Sequence, residues 1–212
     1  MKNLKLQWLD KIPPPEERNP ELFYYDIRNS DIDNGYTIER GVLVNNIGSL
    51  VTNKDILKDK GVLKGKEKAF LNAQDKYNIN IIYLLSHAFI ETGNGNSELA
   101  SGVKMSNGKT FYNFYGIGAF DQDAVETGSS YARKKGWTSP EKAIDGGARF
   151  VRKDYLDNGQ DTLYKMRWNP YNPGQHLYAT DVNWATSIGK IMESYYDKHD
   201  LKKAEIYKDY YK

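Results

Sequence analysis

Glu91 is the residue of this sequence whose position best suits acid–base chemistry. It stands in the segment LLSHAFIETGNGNSELA, where an apolar helical run ends and a glycine-rich turn begins. At the end of a helix the backbone dipole disfavours a negative charge, and poorly hydrated surroundings disfavour it further. A carboxyl group placed in this way keeps its proton and can give it to a leaving group, as a general acid must. The position also suits a glutamate paired with a nearby Lys or Arg, and spacing alone does not separate the two interpretations.

Other catalytic classes lack the residues that they need. The chain has no cysteine, which excludes a thiol nucleophile, a disulfide and a thiolate metal site. Its three histidines, His87, His176 and His199, do not form the usual His-rich zinc pattern. The segment GNGNS follows a helix, whereas a phosphate-binding loop follows a strand. We therefore predict no metal and no cofactor, and we expect His87 to pack or to make one hydrogen bond on the face that it shares with Glu91.

Three short motifs follow one another along the chain. They are SHAFIETGNG, which contains Glu91, then NFYGIGA from Asn113, then YATD from Tyr178. Over roughly residues 53 to 200, this order resembles the peptidoglycan β-N-acetylglucosaminidases of glycoside hydrolase family 73, whose motifs read Glu-Ser/Thr-Gly-x-Gly, Asn-x-Phe/Tyr-Gly-Ile and Tyr-Ala-Thr-Asp. The segment KMRWNP and the pair Gly136–Trp137 add a likeness to staphylococcal glucosaminidases, including membrane-anchored forms.

The resemblance implies a fold, an activity and a location. The fold is a mainly helical (α+β), lysozyme-like domain with a small β-hairpin, and here it carries an N-terminal extension. The activity is cleavage of the β-1,4 bond between N-acetylglucosamine and N-acetylmuramic acid in bacterial cell-wall glycan, with Glu91 as the catalytic acid. The location is outside the cell, in the cell wall or at the outer face of the cytoplasmic membrane, with an anchor expected upstream of this sequence.

A second catalytic carboxylate is expected in the segment AFDQDAVETG. Asp121 is the first choice because it is closest to the predicted hairpin, and Glu126 is the second; Asp123 is the third acidic residue there. Carboxyl groups about 5–5.5 Å apart imply retention and about 6.5–9.5 Å imply inversion, and sequence cannot measure this separation. Acidic residues in a polar loop are also commonly solvated. The acetamido group of the substrate could act as the nucleophile instead, in which case no second carboxylate attacks.

Tyr178 is the other predicted catalytic residue. Its hydroxyl could stabilise the developing positive charge or orient the acetamido group, or its ring could pack at the start of the last helix. Asp181 ends the same motif and is predicted to cap that helix, which is a structural role.

Several residues are candidates for binding sugar. Aromatic rings suit the C–H faces of sugars, and rings that lie beside Asn-Pro and Pro-Gly turns cannot all be buried. The Asn113 side-chain amide suits an N-acetyl or hydroxyl group but could equally satisfy the hairpin backbone, and Trp137 fits a core position equally well. The predicted substrate-binding residues are Trp168 and Tyr115 first, with Asn113, Gly116, Trp137, Tyr112 and Tyr171.

The elements that must position these residues are mostly helices. Asn80 is predicted to cap a helix that Gly93 ends, and this helix is apolar nearly all round, so that it belongs in the middle of the domain. The segment 110–123 is predicted to form a β-hairpin, and Ser139 to cap a further helix. Residues 158–181 are predicted to form a long aromatic loop before the last helix.

Composition supports one soluble core with an extension. The chain has 212 residues, and 30 basic against 28 acidic residues make nucleic-acid binding unattractive. Residues 1–52 contain Pro13 to Pro15 and are predicted to form an arm or small subdomain, and residues 53–212 the catalytic domain. The arm could bind a partner, such as a membrane protein.

Two alternative functions use the same residues. A lytic transglycosylase would also carry a lone catalytic glutamate on a lysozyme-like fold but would release a 1,6-anhydro sugar. A non-catalytic glycan-binding or scaffold module would need no acid at Glu91.

Overall fold

The structure, a computed structural model, describes residues 54–106, 108–119, 123–169, 172 and 174–198. This part of the chain contains seven α-helices: α1 (Glu67–Tyr77), α2 (Ile81–Thr92), α3 (Glu98–Ser101), α4 (Ala124–Lys135), α5 (Pro140–Phe150), α6 (Leu163–Trp168) and α7 (Trp184–Lys198). Shorter helical turns span Lys54–Leu57, Gly61–Leu63, Val151–Tyr155 and Leu156–Asn158. The mainly helical fold class predicted from the sequence is confirmed.

Helix α2 forms the centre of the core. Ten of its twelve residues are buried, as its nearly continuous apolar sequence predicts. The Asn80 side chain accepts hydrogen bonds from the backbone N–H groups of Ile82 and Tyr83 and so caps the first turn. Gly93 ends the helix in a left-handed conformation. Both predicted ends of this helix are confirmed.

Two long helices pack directly against α2, and others pack against those two. Helices α1 and α7 pack against α2, α5 packs against α1, and α6 packs against α7. The side chain of Asn80 joins two of these elements, because its amide donates to the hydroxyl of Tyr196 on α7 at 2.6 Å. The N-terminal end of α2 is therefore joined to the last helix of the described chain, which is distant in sequence.

The small β element lies earlier in the chain than the sequence predicted. Strand β1 (Val103–Lys104) pairs with β2 (Thr110–Phe111) in antiparallel register, with Val103 opposite Phe111. The segment NFYGIGA that follows is an irregular loop, referred to below as the 113–119 loop. Gly116 and Gly118 both have positive φ in it, so the glycines that suggested a hairpin instead bend the chain.

The other helices differ from the prediction in three respects and agree with it in one. Helix α4 was not predicted, and α6 lies within the segment predicted as a long loop. Ser139 caps α5 as predicted, since its hydroxyl accepts from Lys142 N. The last helix begins at Trp184 rather than directly after Asp181, whose carboxylate accepts from Asn183 N at 2.9 Å in the preceding turn.

Several of the predictions concern residues that the structure does not describe. The predicted arm of residues 1–52 and its boundary with the catalytic domain lie outside the described residues, as do Asp121 and Tyr171.

Within the described ranges, no helix combines the length and the apolar character that crossing a bilayer requires.

Candidate active site

Glu91 lies in the last turn of α2, and the turn that follows is fixed by hydrogen bonds. The buried Thr92 hydroxyl donates to the carbonyl of Ala88 and accepts from Gly95 N at 2.8 Å. Gly95 has φ +82°, and a Cβ there would lie 2.1 Å from the carbonyl oxygen of Lys60. The Thr-Gly-x-Gly sequence is therefore explained by a tight turn that holds the end of the helix still.

The carboxyl group of Glu91 is partly shielded. Its side chain is 22% exposed. Oε1 accepts a hydrogen bond from Nε1 of Trp184 on α7 at 2.9 Å, and Nε2 of His87 lies 3.4 Å from the same oxygen. One oxygen is thus held from inside the protein, while the group as a whole still reaches solvent.

The 113–119 loop approaches the second oxygen of this carboxyl group. A Cβ built on Gly116 would lie 2.5 Å from Oε2 of Glu91, which is too close for any side chain. Gly116 also has φ +61°, a conformation that glycine adopts without steric cost. Gly116 was predicted to bind substrate, and the structure places its backbone directly beside Glu91.

Asn113 holds this loop in shape. Its amide donates to the carbonyls of Ile117 at 2.8 Å and Gly128 at 3.2 Å, and its carbonyl oxygen accepts from Tyr115 N. Because the side chain is only 2% exposed, it satisfies the backbone rather than facing a ligand. The prediction that Asn113 binds sugar is corrected to the structural alternative.

Tyr178 contacts both the 113–119 loop and Trp184. Its hydroxyl donates to the backbone carbonyl of Tyr115 at 2.8 Å, and its ring stacks on Trp184 with centroids 5.0 Å apart. Burial raises the pKa of the Tyr178 hydroxyl well above its ordinary value, and the nearby Tyr83 and Glu91 act in the same direction. Tyr178 is therefore a neutral hydrogen-bond donor that joins two loops at the site.

The remaining aromatic candidates are mostly core residues. Trp168, Trp137 and Tyr115 are 3%, 5% and 0% exposed, so protein atoms cover the ring faces that a sugar would need. Their predicted stacking role is corrected for this reason, whereas Tyr112 is partly exposed. Tyr171 lies outside the described residues.

Of the predicted second carboxylates, the structure describes Glu126 and Asp123. Glu126, which was preferred over Asp123, is exposed on the first turn of α4 and lines a cavity of about 650 Å³ together with Glu98 and Asp123. Glu91 is not among the described residues that line this cavity. Asp121 lies outside the described residues. In the described ranges, no three His, Asp or Glu side chains are grouped closely enough to hold a metal ion.

Two residues at the site were not predicted to belong to it. Trp184 was not among the predicted site residues, and His87 was expected only to pack or to make one hydrogen bond. The spacing of His87 and Glu91, four residues apart on one helix, was the available signal, since such residues lie on the same face. No local pattern brings Trp184 to Glu91, because 93 residues separate them.

Comparison with known proteins defines the class to which this fold and site belong. A family model described as "Mannosyl-glycoprotein endo-beta-N-acetylglucosaminidase" matches residues 67–197, and the chain belongs to this glucosaminidase family. A second model, described as "Large polyvalent protein associated domain 28", matches residues 11–84.

Staphylococcal autolysins are among its relatives. The bifunctional autolysin of Staphylococcus epidermidis is 52% identical over 150 residues, which cover 68% of this chain and 11% of that protein. The chain thus spans about a ninth of the length of the curated relatives that it matches. The crystal structure of S. aureus autolysin E matches with a TM-score of 0.74 and 46% identity, over 92% of this chain and 80% of that one.

Another autolysin E structure carries a ligand. It is a catalytic glutamate-to-alanine mutant in complex with the disaccharide NAG-NAM, and it matches with a TM-score of 0.69 and 55% identity over 75% of this chain and 71% of that one. These structural matches agree with the fold class predicted from the sequence.

Proposed function

We propose that this chain is an endo-β-N-acetylglucosaminidase that hydrolyses the β-1,4 bond between N-acetylglucosamine and N-acetylmuramic acid in bacterial cell-wall glycan. The observation that carries the proposal is the carboxyl group of Glu91, which is held through Oε1 by Trp184 and is still 22% exposed. Membership of the glucosaminidase family supports the reaction class. The NAG-NAM complex of the autolysin E mutant, in which a glutamate is catalytic, supports the substrate class.

The reaction begins with transfer of a proton from Glu91 to the glycosidic oxygen. The bond between C1 and that oxygen breaks, and its electron pair stays with the leaving oxygen. Positive charge then develops on the sugar in an oxocarbenium-like transition state. Water adds to C1 and gives a proton back to the carboxylate, so that the reaction consumes one water molecule and restores the acid.

Other groups stabilise the positive charge on the sugar while the glycosidic bond breaks. The Tyr178 hydroxyl, fixed to the Tyr115 carbonyl, keeps oxygen lone pairs that can face the positive charge or the acetamido group. Asp121, and after it Glu126, remain the proposed second carboxylates, with the acetamido group as the alternative that requires neither. Tyr112 and Tyr171 are the proposed sugar-contacting rings.

The proposed place of action is outside the cell, on the peptidoglycan of the wall. The similarity of this chain to autolysins supports this location. The prediction that residues 1–52 bind a membrane protein stays a prediction, because that segment lies outside the described residues.

The experiment that tests the function compares Glu91→Gln with Glu141→Gln in a cell-wall clearing assay. Glu141 is an exposed glutamate on α5 and does not line the cavity that contains Glu126, so its variant controls for the loss of one negative charge. We expect Glu91→Gln to abolish clearing and Glu141→Gln to leave it unchanged. Equal clearing by Glu91→Gln and the wild type would contradict the assignment of the acid.

Mass spectrometry of the digest tests the reaction itself. Reducing N-acetylglucosamine ends are expected, whereas 1,6-anhydro-N-acetylmuramic acid ends would identify a lytic transglycosylase. Tight glycan binding by a wild-type protein that clears nothing would identify a non-catalytic module.

A further inference from the structure

His87 is buried directly behind the proposed acid. Its side chain is 0% exposed and is surrounded by four aromatic rings, of Tyr83, Tyr115, Tyr178 and Trp184, with centroids 4.7–5.3 Å from its own. These rings come from α2, the 113–119 loop, the segment before α7, and α7 itself. Glu91 is the one carboxylate that faces the imidazole among the described residues.

The contacts of the imidazole indicate which nitrogen carries hydrogen. Nδ1 lies 2.8 Å from the hydroxyl of Tyr83, whose other neighbour is Sδ of Met166 at 3.5 Å. Burial raises the pKa of the Tyr83 hydroxyl well above its ordinary value, so this group keeps its proton. An imidazole nitrogen is a stronger acceptor than a thioether, and the contact with Nδ1 is the shorter one. The single hydrogen of the Tyr83 hydroxyl can thus go to Met166 Sδ or to Nδ1, and we take Nδ1 as its acceptor.

A neutral imidazole that accepts at Nδ1 carries its hydrogen on Nε2. Nε2 is buried, has no hydrogen-bond partner within ordinary distance, and lies 3.4 Å from Oε1 of Glu91. Its hydrogen then approaches the oxygen that already accepts from Nε1 of Trp184. Trp184 therefore makes the hydrogen bond to Oε1, and the Nε2–H group of His87 lies beside the same oxygen at a longer, electrostatic distance.

We propose that Tyr83 and His87 form a positioning pair that, together with Trp184, holds Oε1 of Glu91 as an acceptor and leaves the proton on Oε2. This inference rests on the proposed function and deepens it. Oε2 faces the backbone of Gly116, where no side chain stands, so a glycosidic oxygen can reach it. When the O–H bond at Oε2 breaks and the proton moves to that oxygen, the negative charge left on the carboxylate is stabilised by the hydrogen bond from Trp184 and by the nearby Nε2–H group of His87.

The first test observes the tautomer of His87 directly. Two-bond ¹H–¹⁵N correlation spectra distinguish the two neutral tautomers and the imidazolium, and the chain has three histidines, so His176→Gln and His199→Gln assign the signals. We expect a neutral His87 with hydrogen on Nε2 in the wild type at neutral pH. Hydrogen on Nδ1 alone, or a charged imidazolium, would overturn the proposal. This readout requires no enzymatic activity.

The second test removes the hydroxyl that fixes the tautomer. Tyr83→Phe should mix the two tautomers in the same spectra and lower kcat about 10-fold with little change in KM, because the interaction matters mainly in the transition state. Tyr77→Phe is the matched control: the Tyr77 hydroxyl donates to Asp145 at 3.0 Å, on a contact between α1 and α5. A folded Tyr83→Phe variant with wild-type kcat would overturn the proposal.

The role of Glu91 as the acid and the role of the Tyr83–His87 pair are refuted by different results. Continued clearing by Glu91→Gln refutes the assigned acid but leaves the wild-type tautomer as measured. The opposite tautomer refutes the positioning pair even when Glu91→Gln is inactive.

Discussion

Gly116 provides a test of the geometry around Glu91 in which a single methyl group is added. Alanine at this position would place Cβ 2.5 Å from Oε2 of Glu91 and 3.2 Å from its Cδ. Since ordinary contacts begin near 3.4 Å, the carboxyl group has to move by roughly 1 Å, and a displacement of that size can cost about 10²-fold in rate. The positive φ of +61° adds about 1–2 kcal/mol of destabilisation.

A matched control separates the two effects of the methyl group. Gly159 has φ +80°, and nothing lies within 4 Å of its Cβ position. Gly159→Ala should therefore lose a similar about 1–2 kcal/mol in unfolding free energy and keep its rate. The unfolding free energy is measured by chemical denaturation, and kcat on soluble glycan fragments by release of reducing ends.

The expected result is a pair of variants that are equally destabilised but differ about 10²-fold in kcat. Wild-type kcat in Gly116→Ala would mean that the loop does not set the position of Oε2. An equal loss of kcat in Gly159→Ala would mean that destabilisation alone explains the effect.

Three further changes test the site, the core and the surface. Trp184→Phe keeps a ring but removes the N–H donor to Glu91, and we expect kcat to fall about 10- to 100-fold, since a hydrogen bond to a charged group contributes about 1.5–3 kcal/mol. Asn80→Ala removes the buried cap of the central helix and should lower the unfolding free energy by about 1–2 kcal/mol in a denaturant titration. The contact with Lys66 lowers the pKa of Glu141 below its ordinary value. The ion pair therefore stabilises the fold at neutral pH, and this stabilisation is lost as the pH falls through the pKa that Glu141 has in the folded protein. Lys66→Met should therefore lose less stability than the wild type between pH 7 and about pH 3.

Each of these changes has a control in the same chain. Trp137→Phe alters a buried tryptophan away from Glu91, Ser139→Ala removes a less buried helix cap, and Lys68→Met removes an exposed cation from α1. An equal loss of kcat in Trp137→Phe and Trp184→Phe would contradict the role of Trp184. A larger loss of unfolding free energy in Ser139→Ala than in Asn80→Ala would contradict the role of the Asn80 cap. The same acid dependence in Lys66→Met and Lys68→Met would refute the role of the ion pair.

Local chemistry made part of this structure predictable. The Asn80 cap, the apolar run and Gly93 are adjacent in sequence and determine α2, so the helix that carries Glu91 could be predicted to the residue. The cap of α5 by Ser139 was accessible for the same reason. Helix α4 was missed because its polar residues and internal Gly128 give a weak apolar pattern, and it is stabilised by packing against α3 and β2.

The site was harder to predict because burial and long-range contacts decide it. Trp168 lies beside Asn-Pro, which suggested exposure, yet its ring is buried under the guanidinium of Arg167, 4.0 Å from the ring centroid. Arg167 also donates to the carbonyls of Thr180 and Asp181, and so holds the segment that carries Tyr178. Such contacts join α6 to a turn 13 residues later, and no local spacing reveals them.

The hydrogen bond between Trp184 and Glu91 has a consequence for the order in which the proposed active site can form during synthesis. The acid emerges from synthesis well before the last helix, but the donor that holds it arrives 93 residues later. An incomplete or unfolded chain therefore carries the glutamate without the indole that orients it. We expect the proposed activity to require docking of the last helix, so a chain truncated before Trp184 should not clear cell wall.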